Sequence, residues 1–277
     1  MAQDTTLPLV PNDVEAIINE VRKPILTTIE NRPAALIPDG YKLEMLEKLM
    51  PNPARKVGTV TLSDLNSFID YVKRDGSLAS CRIYAAVDVI EGKVSFTAVL
   101  NDHEEEKAHW RDYRTVYTPA KSVEWLTWMK SDGKPMTQAD FAKFLEDNVK
   151  DIASVAGMPS GAQMLAMALD FEAKQEVIIK SSTRLQSGTV AFSYVDKEDD
   201  ATVKRMEVFQ RFTLGLAPFF NGAAYQLAAR LKYKHNSGKL SFWYELVRPD
   251  LVLQDATSDL IKTIKEQTGF PVYYGNP

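Results

Sequence analysis

The residues whose types and spacing most clearly suggest a chemical role lie in a basic stretch over residues 224–248. Two apolar and aromatic segments, 224–235 and 239–248, are joined by Asn236-Ser237-Gly238, a pattern that predicts an antiparallel hairpin. Because side chains alternate between the two faces of a strand, one face collects the apolar residues and the other collects the cations. The outward residues of interest are Arg230, Lys232, Lys234, Lys239 and Trp243.

This outward row has two interpretations. Lysine and arginine beside an aromatic ring suit single-stranded nucleic acid, because the cations hold phosphates and the ring stacks on a base. The alternative is an ordinary solvated face, where lysine and arginine also deter aggregation at a sheet edge. Residues 226–248 contain five basic residues and one acid, a formal charge of +4, whereas the whole chain carries −4 and the remainder therefore −8. The composition thus excludes a protein that is basic overall, but not a local basic surface.

A histidine pair at 103 and 109 invites a metal-site interpretation. His103 and His109 flank three consecutive glutamates. Their spacing is not that of H-E-x-x-H, and it places them on different faces of a helix. A strand would align them, but the neighbouring glutamates would not converge easily. We therefore interpret the segment as a solvated acidic loop and predict no metal ligands.

A group of carboxylates at helical spacing, Asp140, Asp147 and Asp151 beside Glu146, invites a second chemical hypothesis. Carboxylates can hold Mg²⁺ for phosphoryl chemistry, and an enzyme acting on phosphorylated small molecules would need the three aspartates to converge on one pocket. The other side of the same predicted helix is apolar, so a solvated polar face explains the acids more simply.

Nucleophilic catalysis has little support. Ser160 follows Gly157-Met158-Pro159, which is not the G-x-S-x-G pattern, and a helix cap explains it. Cys81 is the single cysteine and suits a small buried hydrophobe. With three histidines in the chain, a histidine-based triad is poorly supported. No catalytic residue and no cofactor is assigned.

The periodicity predicts an α+β fold, with an antiparallel sheet in the C-terminal half packed with helices and an N-terminal helix and hairpin region. Strands are predicted over 82–90, 93–100, 113–117, 175–184, 188–196, 203–214, 224–235 and 239–248. Further predictions are a strand from Ala34, helices capped by Ser63, Thr137 and Ser160, a helical segment over 44–50, a helix over 257–268, and an edge strand over 272–274.

Three regions are expected along the chain: an N-terminal arm over 1–11, a mixed part over 12–156, and a strand-rich part over 157–277. One continuous domain over 12–277 is the alternative. Hydrophobic residues make up 45% and charged residues 25%, which suits a folded core. The N-terminus lacks the pattern of a signal peptide, and apolar stretches fall short of the roughly 20 residues of a membrane span. We expect a cytoplasmic protein without membrane association.

Several segments together resemble the YfdQ-like phage and prophage proteins, a domain family of unknown function. The similar segments are 35–41 (ALIPDGY), 46–55, 110–114 (WRDYR), 138–147 (QADFAKFLED), the C-terminal strands and 269–272 (GFPV). The resemblance covers most of the chain and implies a bacteriophage or prophage origin and a bacterial cytoplasm. It supplies no catalytic role.

Together these observations predict a non-enzymatic phage or prophage accessory protein that acts by binding, with nucleic acid on the basic sheet face as the sharpest version. A homo-oligomer is expected from general frequency. Two alternatives stay open: a self-assembling structural protein that forms a ring or shell, and an inhibitor that docks on a host protein.

Overall fold

The computed structural model describes residues 15–16, 18–20, 25–29, 32–37, 46–88, 91–173, 178–184, 190–196, 199–236 and 239–277. The chain divides into two compact units, residues 1–56 and residues 57–277. The arm predicted over residues 1–11 lies outside the described residues, and the division at residue 157 stays a prediction. Helices and strands are mixed through the larger unit, which confirms the α+β class.

The smaller unit contains an antiparallel pair, β1 (Ile25–Ile29) and β2 (Arg32–Leu36), and a 3-10 helix over Leu46–Leu49. The predicted strand at Ala34 therefore exists and begins slightly earlier. The predicted helical segment over 44–50 is a single short turn, since the residue before Pro51 is biased away from helical geometry.

A five-stranded mixed sheet forms one part of the larger unit. Its strands are β3 (Gly58–Leu62), β4 (Arg82–Asp88), β5 (Lys93–Val99), β6 (Tyr113–Tyr117) and β14 (Val272–Tyr274), in the order β14-β4-β5-β6-β3. The predicted hairpin, the third strand and the C-terminal edge strand are confirmed. Strands β4, β5 and β6 pair antiparallel, whereas β3 and β14 are added to the two edges in parallel.

Two helices, α1 (Leu65–Asp75) and α5 (Pro249–Thr268), contribute to the core of this sheet. Phe68 of α1 and Ile264 of α5 are fully buried with strand residues such as Ile83 and Phe96. Helix α1 is capped by Asp64, whose side chain accepts a hydrogen bond from Ser67 N at 2.9 Å, so the predicted cap at Ser63 is wrong by one residue.

A four-stranded antiparallel sheet forms another part, in the order β11-β12-β13-β7. Its elements are β7 (Met136–Thr137), β11 (Arg211–Leu216), β12 (Tyr225–Asn236) and β13 (Lys239–Leu246), with α2 (Val123–Ser131), α3 (Gln138–Asp147) and α4 (Gly161–Ala173). Trp128, Leu145 and Met164 of the helices pack with Phe212 and Tyr244 of the sheet in one buried core.

The predicted caps of α3 and α4 are confirmed. Thr137 Oγ1 accepts a hydrogen bond from Asp140 N at 3.2 Å at the start of α3. Ser160 Oγ accepts one from Gln163 N at 3.3 Å, and Gln163 returns the contact to Ser160 N at 2.8 Å. This reciprocal arrangement is a capping box, which satisfies two backbone donors that a helix start leaves unpaired.

The strand predicted over 203–214 is two strands that belong to different sheets. Strand β10 (Asp199–Val208) joins β8 (Ile178–Arg184) and β9 (Val190–Asp196) in a three-stranded sheet, whereas β11 begins at Arg211. The chain changes sheet at Phe209 and Gln210, where Leu231 N donates to the Gln210 carbonyl at 2.9 Å.

Helix α5 begins at Pro249, eight residues before the predicted start at 257. Proline suits the first turn of a helix, where its missing N–H would have no partner. The helix packs against both cores, since Val252 and Leu253 contact the core of the four-stranded sheet while Ala256 and Ile264 lie in the other. Within the described residues, no helix combines the length and apolar character that crossing a membrane requires.

Candidate nucleic-acid interface

The β12–β13 hairpin has the two faces that the alternation predicts. Leu227, Ala229 and Leu231 are buried on the inner side of β12, and Phe242 and Tyr244 are buried on the inner side of β13. On the outward side of β12, Arg230 and Lys234 are exposed, and Lys232 between them is half-exposed. Because the core residues occupy the alternate positions, the strand cannot rotate its cations inward without exposing the apolar row.

A fourth cation comes from the neighbouring strand β11. Arg211 is exposed and pairs in register with Arg230, so the two guanidinium-bearing residues lie side by side on the outer face. Like charges directly opposite each other on adjacent strands are destabilising. The sequence reasoning missed Arg211 because it treated 203–214 as one strand and did not pair it with β12.

Trp243 and Glu245 complete the outer face on β13. Trp243 is half-buried and lies opposite Lys232. Glu245 lies opposite Arg230, and its carboxylate is 3.6 Å from Lys232 Nζ and accepts a 3.4 Å contact from the Trp243 indole N–H. One carboxylate therefore faces a group of four cations.

We use the name basic face for these six residues: Arg211, Arg230, Lys232, Lys234, Trp243 and Glu245. The ion pair between Lys232 and Glu245 leaves both side chains more than two-fifths exposed, so solvent screens it. The face keeps a formal charge of +3 after its carboxylate is counted. The fourth predicted cation, Lys239, pairs with Asn236 at the end of the hairpin, and its side chain lies outside the described part.

A cavity of about 410 Å³ opens at one end of the basic face, where β10 gives way to β11. Arg211, Arg230 and Lys232 line it together with Phe209 and Tyr233. A cavity lined by both cations and aromatic rings can take a phosphate and an adjacent base. Sequence reasoning did not foresee it, because the lining combines β11, β12 and the two residues before β11.

A family model described as an uncharacterized conserved protein (DUF2303) matches residues 11–277. The chain belongs to the DUF2303 family. The comparison with curated proteins found no match. The match includes every residue of the basic face in this DUF2303 protein.

The structure does not bring the three aspartates of the DUF2303 chain together. Asp140 is at the exposed start of α3, where it accepts a hydrogen bond from Thr137 Oγ1 at 2.7 Å. Asp147 is exposed at the other end of the helix, about 10 Å away at 1.5 Å per residue. Asp151 accepts a hydrogen bond from the Trp128 indole at 2.7 Å. Carboxylates this far apart cannot share one Mg²⁺ at its short ligand distance of about 2 Å.

The two histidines lie in the loop that follows β5. His109 Nε2 is 3.1 Å from the Glu104 carboxylate, and His109 N donates to His103 Nδ1 at 3.0 Å. Glu104 N also donates to the Lys107 carbonyl at 2.9 Å, so the loop is held by its own short-range contacts. Within the described residues, no three of the histidine, cysteine, aspartate and glutamate side chains are grouped to hold a metal ion.

Cys81 is fully buried directly before β4. Burial raises the pKa of its thiol to about 12, and the nearby Arg82 only partly opposes that shift. The nucleophilic form of cysteine is the thiolate, so this thiol is unreactive near neutral pH.

A buried network that no sequence pattern predicts fixes the loop that carries the two histidines. Asp102 is buried and accepts hydrogen bonds from Tyr84 Oη at 2.6 Å and from His103 N at 2.8 Å, while Arg111 Nε lies 2.8 Å away. Burial alone would raise the pKa of Asp102, but these contacts outweigh it and lower the pKa. The network therefore holds an ionised carboxylate paired with a cation, and its role is to hold the loop in place.

Proposed function

We propose that this DUF2303 protein is a phage or prophage accessory protein that binds single-stranded nucleic acid through the basic face. The observation that carries the proposal is the register of β11, β12 and β13. It puts four cations and a tryptophan on one side of a sheet whose other side is core. The origin in a phage or prophage rests on the sequence resemblance alone.

Charge distribution favours a polyanion as the ligand. The whole chain carries −4, so a patch of +3 stands against a predominantly acidic remainder. A polyanion approaching such a molecule is attracted to the basic patch and repelled elsewhere, which orients the encounter. The pairing of Arg211 with Arg230 adds to this argument, because a phosphate between the two guanidinium groups would relieve their mutual repulsion.

The shape of the face favours a single strand over a duplex. Cations on β12 recur every second residue, about 7 Å apart, along a row that a flexible backbone can follow. Trp243 is half-exposed beside Lys232, where its ring can stack on a base. Base stacking needs bases that are not already stacked in a duplex.

The test is fluorescence anisotropy with a labelled oligothymidine of about 20 nucleotides, longer than the roughly 4–16 nucleotides that one binding fold occupies. Four phosphate contacts on a single strand predict a slope of about −3 for log K against log salt. The triple variant R230A/K232A/K234A should reduce the magnitude of the slope by about 2. The matched control K73A/K130A/K143A removes three exposed lysines elsewhere and should keep the slope of the wild type.

Trp243 separates stacking from charge. W243A should weaken binding by about five- to a hundredfold with the salt slope unchanged, and W243F should recover part of the loss. Binding that ignores salt, or that the control triple variant weakens as much as the basic-face variant does, contradicts the proposal. A homo-oligomer stays a prediction, and light scattering of the same preparation measures it.

A further inference from the structure

Two adjoining cavities of about 740 and 750 Å³ lie beside the β4–β5 hairpin, and no residue of the basic face lines either of them. Residues that line both are Val87, Asp88, Gly92, Lys93, Lys121 and Tyr274. The walls are largely apolar, with Phe219 in one cavity and Leu126, Met129 and Leu253 in the other. Each volume falls within the range of about 300–1,000 Å³ that small-molecule sites have.

One polar group in the lining lacks the contact it needs. Lys121 Nζ is buried, and no acceptor among the described residues receives a hydrogen bond from it. Nζ lies over the Phe219 ring, whose centroid is 4.4 Å away. Burying an ammonium without an acceptor is unfavourable. This burial lowers the pKa of Lys121 to about 8.

The backbone of Lys121 is fixed although its side chain can turn. Lys121 pairs with Phe219 in an isolated bridge, and the next residue, Ser122, caps α2 by accepting from Trp125 N at 3.0 Å. The Ser122 hydroxyl also donates to the Ala217 carbonyl at 2.5 Å. Lys121 lines both cavities, so a rotation of its flexible four-carbon stem would carry Nζ from the Phe219 ring toward a ligand in either one.

We propose that these cavities bind a small apolar acid with a single negative charge, whose anionic head accepts a hydrogen bond from Lys121 Nζ. The head group supplies the acceptor that the described residues do not provide. The hydrocarbon or aromatic body fills the apolar walls. This site is independent of the basic face.

Surrounding charges restrict the ligand to one negative charge. Asp88 and Glu91 face the cavities from the β4–β5 hairpin, and Asp250 and Asp255 face them from α5. Lys93 contacts Glu91, and Arg248 contacts Asp250 at 2.7 Å, so some of this charge is compensated. Lys121, Lys93 and Tyr274 are the other titratable groups of the lining. A phosphate monoester, with a charge of about −1.5 to −2, would meet excess repulsion here.

The test uses two fluorescent probes of similar shape, anilinonaphthalene sulfonate, which has one negative charge, and phenylnaphthylamine, which has none. K121M should reduce the affinity for the sulfonate by about tenfold or more, because it removes a hydrogen bond to a charged group. The affinity for phenylnaphthylamine should stay within about twofold of the wild type. K143M, at an exposed lysine of α3, should bind both probes as the wild type does. K121R keeps the charge and should restore sulfonate binding.

Two further measurements sharpen the outcome. Sulfonate affinity of the wild type should fall as the pH rises through about 8, the pKa of Lys121, whereas K121R should stay flat because arginine remains charged. Naphthoate should displace the sulfonate at least about ten times better than naphthyl phosphate. Equal loss of both probes in K121M, or a sulfonate affinity that K121M leaves unchanged, overturns the proposal. The R230A/K232A/K234A variant should bind both probes as the wild type does. The two proposals are therefore tested independently, and the failure of one does not contradict the other.

Discussion

Replacing Tyr244 by phenylalanine tests how the basic face is held in place. Tyr244 is fully buried on the inner side of β13, and its hydroxyl donates a hydrogen bond to the Trp128 carbonyl at 2.6 Å. Burial raises the pKa of this hydroxyl far above its usual range, so it keeps its proton. The bond joins strand β13 to helix α2, which are remote in sequence. Y244F removes the hydroxyl and leaves the ring contact with Trp128, at 5.0 Å between centroids, in place.

The expected loss for Y244F is about 1–2 kcal/mol in the free energy of unfolding. A net hydrogen bond contributes about 0.5–1.5 kcal/mol, and a buried carbonyl that loses a donor adds to the cost. Y244A also removes the ring from the core and should cost about 3–5 kcal/mol. Urea unfolding followed by tryptophan fluorescence measures both. Y274F, at a tyrosine that is 72% exposed, is the matched control and should change stability by less than about 0.5 kcal/mol.

The same variant separates stability from binding. Tyr244 faces the core, whereas Trp243 and Glu245 occupy the outer face of the same strand. Y244F should therefore bind oligothymidine as the wild type does under conditions where both are folded. A Y244F protein as stable as the wild type, or one that is folded but has lost salt-dependent binding, would refute this description of the strand.

Three other substitutions have defined outcomes. Burial raises the pKa of Asp151, although the Trp128 hydrogen bond opposes the shift. Ionisation of Asp151 therefore disfavours the folded state, and the stability present in acid is lost as the pH rises through the folded-state pKa. D151N should thus unfold at higher urea than the wild type near neutral pH and match it in acid. E245Q should tighten oligothymidine binding by up to about fivefold in anisotropy, because it frees Lys232. G92A should cost about 1–3 kcal/mol in thermal unfolding, since Gly92 has a φ of +61° and a leucine of α5 occupies the space of the new Cβ.

The faces of the β12–β13 hairpin were predictable because strand alternation is a local property. Leu227, Ala229 and Leu231 alternate with the cations in the sequence itself, and the short link at residues 236–238 fixes which strands pair. The same holds for the caps at Thr137 and Ser160, whose chemistry involves only the next three residues.

The missed features depend on contacts between distant segments. The sequence over 203–214 reads as one strand, and only the pairing of Arg211 with Arg230 shows that a second sheet begins there. No sequence pattern singles out Lys121, yet its ammonium group is buried over the ring of Phe219, which is 98 residues away in the chain. The last helix was predicted to begin at 257, so its first two turns were missed, although the proline at 249 is a residue type that begins helices.

Helix α5 has a consequence for how the molecule is made. Its first turns complete one core and its later turns complete the other, with Leu253 shared between them. In a nascent chain both hydrophobic cores therefore remain incomplete until residues 249–268 have left the ribosome. Such an intermediate exposes hydrophobic surface that promotes aggregation, so the yield of folded protein should increase with slow synthesis or abundant chaperones.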